Sequence, residues 1–296
     1  MNKIYSQNIL KLNGYIIENS GVSEKDLMQV KIAYQDIYAK ARKKEYPYIR
    51  VYDDFLGKLN ISAIEMPFHP DIINHEVISF INKTNIIKIA KAYLGNDIKM
   101  TLSRFHMTGN KSHVGEWHRD SEIGKKNTLQ VSLFFYDEKG LEVIDGSHTR
   151  EMDFQEEINF NKNPYCPMPG SRHLQAKAGE VLIMNPALLH RAISADERAN
   201  IHFRFEIDNE YELKPYSNDA GFNDEWVTVM ANKNTVIISP DIKKFTYKNS
   251  FKTTIMQIVK TFIHYFVFFL PMCSIIYRRT GAYPSLKLRK LFSLNS

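Results

Sequence analysis

The segment Trp117-His118-Arg119-Asp120 sets an imidazole and a carboxylate on alternate residues. On extended backbone alternate side chains share a face, so His118 and Asp120 are aimed at one point. A metal held there needs a third ligand from elsewhere in the chain. His190 is the best candidate, because it follows the apolar strand Gly179 to Asn185 and the short loop Pro186 to Leu189. Two imidazoles and one carboxylate on one face of an octahedron are the donor set of non-haem iron(II) oxygenases, with three positions left for a cosubstrate and O2. Their ligand charge leaves iron(II) net positive, so an anionic chelating cosubstrate completes the balance. H-x-D alone is weak in a chain with 10 histidines. Its weight comes from context, and His69, His75, His106, His113, His173 and His264 read as surface or hydrogen-bonded histidines.

A cationic partner strengthens the pattern. A 2-oxoglutarate cosubstrate would point a distal carboxylate away from the metal, and a buried carboxylate calls for a bidentate donor. The segment RANIHFRFEI offers two arginines. Arg198 and Arg204 share a strand face with Asn200 and His202, while Ile201, Phe203, Phe205 and Ile207 take the other face. Arg198 is favoured because it sits where the strand begins. Arg204 is the alternative, and a surface salt bridge explains it equally well.

The elements that must position these residues follow from periodicity. Asn13-Gly14 is a turn between a short helix end and a strand. Ser23 with Asp26 resembles a capping box, so a helix starts near Glu24 and ends in the basic stretch Lys40 to Lys44. A second helix is expected from about His75 to Leu94, stopped by Gly95. From Ile98 the pattern alternates. Strands are expected over Ile98 to Met107, Thr128 to Tyr136, Leu141 to Ile144, Gly179 to Asn185 and Arg198 to Ile207, joined by turn-rich loops. Several short strands of this kind suggest an antiparallel barrel or sandwich.

Taken in order, these motifs resemble the phytanoyl-CoA dioxygenase family of iron(II)/2-oxoglutarate oxygenases. LNGYIIENSGVSEKDL (Leu12 to Leu27) is similar to that family's opening strand and first helix, and AKAYLGNDI to the end of its second helix. KGLEVIDGSHTR (Lys139 to Arg150) resembles its Gly-Ser-His turn, and AGEVLIMNPALLHRA (Ala178 to Ala192) its second-histidine strand. The resemblance covers roughly residues 10 to 210. It implies a mainly β chain with flanking helices around a double-stranded β-helix, the jelly-roll or cupin-like barrel. It implies that His118, Asp120 and His190 hold Fe(II), that an arginine after His190 binds 2-oxoglutarate, and that O2 is the oxidant. The expected reaction is hydroxylation of an unactivated C–H bond with release of succinate and CO2. Here Lys139 replaces the family's usual Asn before Gly140, and Asp145 its usual Pro. Gly146-Ser147-His148 reads as a structural turn, and Trp117 as packing beside the barrel mouth. Two competing readings are a non-catalytic jelly roll that binds a small molecule, and a zinc hydrolase using the same ligands. The missing H-E-x-x-H disfavours the hydrolase.

Composition bounds the rest. The 296 residues are 44% hydrophobic and 24% charged, ordinary globular usage with enough apolar mass for a large core. Cys166 and Cys273 give no disulfide framework, and the first residues hold no signal-peptide-like apolar run, so a cytoplasmic location is expected. Residues 1–210 are expected to form the oxygenase domain, 211–252 an extension packed on the barrel, and 253–296 an apolar and basic C-terminal segment. Ile255 to Tyr277 reaches the ~20 residues needed to span a bilayer. Pro271 interrupts it, however, and basic residues flank both ends. An in-plane anchor on the inner face of a membrane fits better than a span, and a helix packed on the barrel is the alternative. An anchor would make a lipid-linked substrate as reasonable as a free small molecule. The net charge of +6 carries no interleaved nucleic-acid motif, so no nucleic-acid partner is expected.

Overall fold

The computed structural model describes residues 3–43, 50–53, 62–67, 75–108, 113–124, 127–194 and 197–207, with Asn223, Glu225, Trp226 and Val229 beyond them. In chain order the elements are α1 (Lys3–Asn13), β1 (Tyr15–Asn19), α2 (Glu24–Arg42), β2 (Arg50–Asp53), β3 (Ser62–Pro67), α3 (His75–Asn82) and α4 (Ile86–Leu94). Then come β4 (Ile98–Thr108), β5 (His113–Val114), β6 (Thr128–Phe134), β7 (Glu138–Ile144), a 3-10 turn (Ser147–Thr149) and α5 (Phe154–Lys162). The chain continues through β8 (Ser171–Ala176), β9 (Glu180–Met184), β10 (His190–Ser194) and β11 (Arg198–Ile207).

The strands form two antiparallel sheets. The larger runs β1-β9-β6-β11-β4-β3-β2 and the smaller β5-β10-β7-β8. Chain-adjacent strands repeatedly fall in opposite sheets, as in β9 to β10 and β10 to β11. This is the double-stranded β-helix, a jelly-roll barrel with helices on one side.

Strand alternation divides the larger sheet cleanly. Phe105, Met107, Leu129, Val131, Val181, Ile201, Phe203 and Phe205 form one buried cluster with α2, α3 and α4. Tyr34 of α2 lies between Phe105 and Phe135, its ring centre 3.9 Å and 4.0 Å from theirs. Trp226 closes the cluster, 5.1 Å from Phe203. On the other face Phe134, Leu182 and Met184 meet Leu141, Val143 and Leu174 of the smaller sheet. Between the sheets, then, lies an apolar plug, with the inward residues of β11 beside it.

Helix α2 starts where Ser23 accepts a hydrogen bond from the Asp26 amide at 3.1 Å. The single helix expected from His75 to Leu94 is two helices, α3 and α4. Between them Thr84 Oγ1 donates to the Ile81 carbonyl and the Asn85 amide donates to Ser20 O at 2.7 Å. The Asn85 amide is thus drawn outside the helix, to the chain after β1. The stretch Leu141 to Ile144 extends back to Glu138, with a bulge between Glu138 and Leu141. Strands β2, β3, β5, β8 and β10 and helix α5 had no sequence expectation. Of the 211–252 extension only four residues are described, and 253–296 lies outside the described residues.

Gly14 fixes how the first strand meets the site. It has φ +87, and a Cβ there would stand 2.5 Å from His148 Nδ1 and 2.8 Å from Leu188 Cδ1. Its carbonyl accepts from the Asn185 amide at 2.8 Å. Gly14→Ala is expected to destabilise the protein by more than the roughly 1–2 kcal/mol of a left-handed alanine, because His148 or Leu188 must also move. Urea unfolding of the two proteins measures this, and an unchanged midpoint contradicts the packing described.

Candidate metal centre

The two histidines are joined before any metal is considered. His118 and His190 form an isolated antiparallel bridge, each amide donating to the other's carbonyl at 3.0 Å. The chain around His118 is otherwise irregular. It is fixed by Asp120 and Ser121 amides donating to Pro186 O at 2.8 Å and 3.1 Å, and by the Trp117 amide donating to Pro164 O. A loop segment carrying two candidate ligands is thus attached to the loop that delivers the third.

The side chains converge. One nitrogen or oxygen from each of His118, Asp120 and His190 lies within 4.8 Å of the others. Each His Nε2 is 3.7 Å from a different Asp120 oxygen, and the rings are 4.4 Å apart. Both Nδ1 atoms face carbonyls, Glu116 O at 2.9 Å and Leu188 O at 2.8 Å. A carbonyl can only accept, so Nδ1 carries the proton in each neutral ring. Each Nε2 lone pair is left free and aimed at the common point, the arrangement a metal requires.

Burial sets the charges. His190 is buried, and this pushes its imidazole down to about 4, with His118 adding to the effect and Asp120 opposing it. Burial would raise Asp120, but His190, His118, Arg204 and His202 outweigh it and bring the carboxyl down to about 2. At neutral pH the site therefore presents a carboxylate and at least one neutral imidazole, His190. The His118 side chain is 45% exposed and that of His190 8%, so the mouth lies on the His118 side.

The two arginines occupy different places. Arg198 is buried, and its Nε donates to Glu138 of β7. Arg204 places Nη2 3.4 Å from Asp120 Oδ2 and donates to Gln130 Oε1 at 3.1 Å. The three expected ligands are brought together, with Arg204 at their carboxylate. Arg198 lies near enough to His190 to add to the depression of its pKa. Between the arginines, Asn200 is fully buried and both its amide atoms lack a hydrogen-bond partner. Arg204 Nε is likewise buried and unpartnered. Such orphans are costly unless a ligand or water completes them.

Several contributors escaped the sequence reading. Glu138 opens β7, and Gln130 and Ser132, which meets His202 Nδ1 at 2.6 Å, are polar positions within the apolar strand β6. That interruption was the available signal. Behind β10, Arg191 pairs with Glu142 at 2.5 Å and lies over the Trp117 ring at 5.0 Å. Its Nη1 donates to Tyr165 O, and His173 holds the other Glu142 oxygen at 2.8 Å. His148 packs in the turn against Gly14, away from the converging ligand atoms.

The family model for phytanoyl-CoA dioxygenase matches residues 10–196. The chain belongs to that family. Among solved structures, this family member is similar to AviO1 from Streptomyces viridochromogenes Tue57, at 13% identity and a TM-score of 0.56 over 72% of this chain and 98% of that one. It is also similar to SnoN, a non-haem α-ketoglutarate-dependent epimerase of nogalamycin biosynthesis, at 11% identity and TM-score 0.52, over 69% and 82% of the two chains. A third is HygX from Streptomyces hygroscopicus, with nickel, 2-oxoglutarate and hygromycin B bound, at 10% identity and TM-score 0.51, over 72% and 92%. At these identities the likeness shows the fold. No curated relative matches the chain.

A pH dependence follows for the metal-free protein. Folded His190 stays neutral down to about pH 4, while an unfolded histidine takes its proton near 6.5. The folded pKa is the lower one, so the associated stability is full above about 6.5 and lost as pH falls toward 4, by roughly 3 kcal/mol at most. Urea unfolding across this window is expected to show that loss, and His190→Gln to flatten it. An equally steep profile in His190→Gln would place the titrating group elsewhere.

Proposed function

We propose that this family member is an Fe(II)- and 2-oxoglutarate-dependent dioxygenase that hydroxylates an unactivated C–H bond of a small molecule, releasing succinate and CO2. The observation that carries the reading is the trio His118, Asp120 and His190, with both Nε2 lone pairs and a carboxylate converging, and Arg204 at that carboxylate. The donor set fits a divalent first-row metal with open positions. When bound, iron with 2-oxoglutarate and O2 supplies the oxidising power for the C–H bond.

The chain's own residues do the positioning. His118 and His190 present Nε2 because Glu116 O and Leu188 O hold their Nδ1 protons. Asp120 supplies the negative charge and stays ionised at neutral pH. Arg198, buried and close to His190, receives the distal carboxylate of 2-oxoglutarate, with Glu138 orienting its Nε. Asn200 donates its unpartnered Nδ2 to the same carboxylate. Arg204 stays with Asp120 and Gln130, where it holds the carboxylate in place. The apolar plug of Phe134, Leu182, Met184 and Leu188 excludes water from the far side.

SnoN has been solved in complex with nogalamycin RO and HygX with hygromycin B bound, which supports a small molecule as the substrate class. A lipid-linked substrate rests on the C-terminal segment instead. Ile255 to Tyr277, flanked by Lys243, Lys244, Lys248, Lys252, Arg278 and Arg279, is proposed as an in-plane anchor on the cytoplasmic face of a membrane. Among the described residues no helix is long and apolar enough to cross one.

Anaerobic reconstitution with Fe(II) and 2-oxoglutarate, followed by O2 and a screen of metabolites and lipids, tests the activity by succinate release. His118→Ala and Asp120→Ala are expected to abolish it, and full turnover in either would remove the metal assignment. Arg198→Gln is expected to raise KM for 2-oxoglutarate about tenfold or more, the scale of a lost charged hydrogen bond. The same rise in Arg204→Gln alone would transfer the role to Arg204. Deleting residues 253–296 is expected to move the protein from the membrane to the soluble fraction, and a full-length protein already wholly soluble argues against an anchor.

A further inference from the structure

Arg119, between two of the proposed ligands, has a bonding pattern of its own. Its side chain turns to the carbonyls of two neighbouring loops. There Nη1 donates to Ser147 O at 2.7 Å and to Ala187 O, and Nη2 donates to Arg150 O at 3.2 Å. These carbonyls belong to two separate loops. Ala187 lies in the β9–β10 loop that delivers His190. Ser147 and Arg150 belong to the turn after β7, and that turn is itself fastened to the same loop by the Leu189 amide donating to Ser147 Oγ at 2.9 Å.

The covalent and hydrogen-bonded links close a ring. It runs from His118 and Asp120 through Arg119 to Ala187, along the chain to His190, and back to His118 through their paired backbone bonds. Regular sheet structure does not fix this stretch: β5 ends at Val114, and within 115–121 the one bridge is that of His118. A planar guanidinium with five donors can hold three carbonyls at fixed angles, and a lysine ammonium cannot reproduce that fork.

We propose that Arg119 is the positioning residue of the metal centre: its guanidinium sets the separation of the His118–Asp120 pair from His190 by joining the loops that carry them. The inference rests on the metal-site reading above, and it concerns a side chain that touches neither metal nor cosubstrate.

The test uses the full chain, stripped of metal, with Co(II) as the probe and no cosubstrate. Wild type, Arg119→Gln, Arg119→Lys and Arg150→Gln are titrated, and the ligand-field absorption at saturation is recorded with the urea midpoint of each metal-free protein. Arg150→Gln removes a guanidinium from the same turn, one that bonds Glu156 at 2.7 Å. The expected result is a Co(II) Kd raised about tenfold or more in both Arg119 variants, with a displaced absorption band at saturation. Arg150→Gln keeps the wild-type band and affinity. If Arg119→Gln does not fold, Arg119→Lys, which keeps the charge, carries the comparison. Wild-type affinity and band in the Arg119 variants would overturn the proposal, as would an equal change in Arg150→Gln. A wild-type protein that binds neither Co(II) nor Fe(II) would overturn the metal-site reading together with it.

Discussion

Two backbone hydrogen bonds between His118 and His190 are the constraint on which the site depends. They are short-range in space but join segments far apart in sequence, one irregular and one opening a strand. Everything nearby is arranged to leave that pair undistorted: Pro186 O holds Asp120, Trp117 and Arg191 stack behind, and Arg119 fastens the loops. The convergence of two imidazoles and a carboxylate is therefore built by main chain and outward side chains. This is how an open metal position can coexist with a rigid ligand set.

The sheet faces have separate duties. On one face of the larger sheet, residues of β4, β6, β9 and β11 pack on the helices, away from the site. The opposite face carries polar side chains on alternate residues of β11, including an amide with no partner. A protein tolerates that unfavourable interior because a bound ligand can complete it. The carboxylate of Glu138 already engages one of the two cations, which keeps an unpaired charge out of the barrel.

Much of this was legible in the sequence, for identifiable reasons. H-x-D and alternation predict convergence, and β4, β6, β9, β11 and the end of β7 were found because each is strongly apolar on at least one face. His190 was placed by the loop that follows an unmistakable strand. The short partners β2, β3, β5, β8 and β10 were invisible because their pairing, more than their composition, makes them strands. The break between α3 and α4 depends on Ser20, distant in sequence, so no local pattern announces it. The arginines could be put on one face, but which anion each meets depends on the β11–β6 register and on how β7 of the other sheet packs across from them. Arg119 was hidden for a related reason: backbone carbonyls as partners leave no trace in side-chain identity.

The pairing of β1 with β9 has a consequence for how the chain is made. Tyr15 lies opposite Met184, so the first strand to leave the ribosome waits for one of the last. The β4–β11 pairing, Ile98 with Ile207 at its far end, also joins segments well separated in synthesis. A barrel dominated by such distant contacts folds slowly, and its central sheet closes only after β11, the last of the described strands, is free of the exit tunnel. Until then the apolar Tyr15-Ile16-Ile17 edge stands open. That makes the newborn chain, more than the finished enzyme, the form in need of protection from self-association.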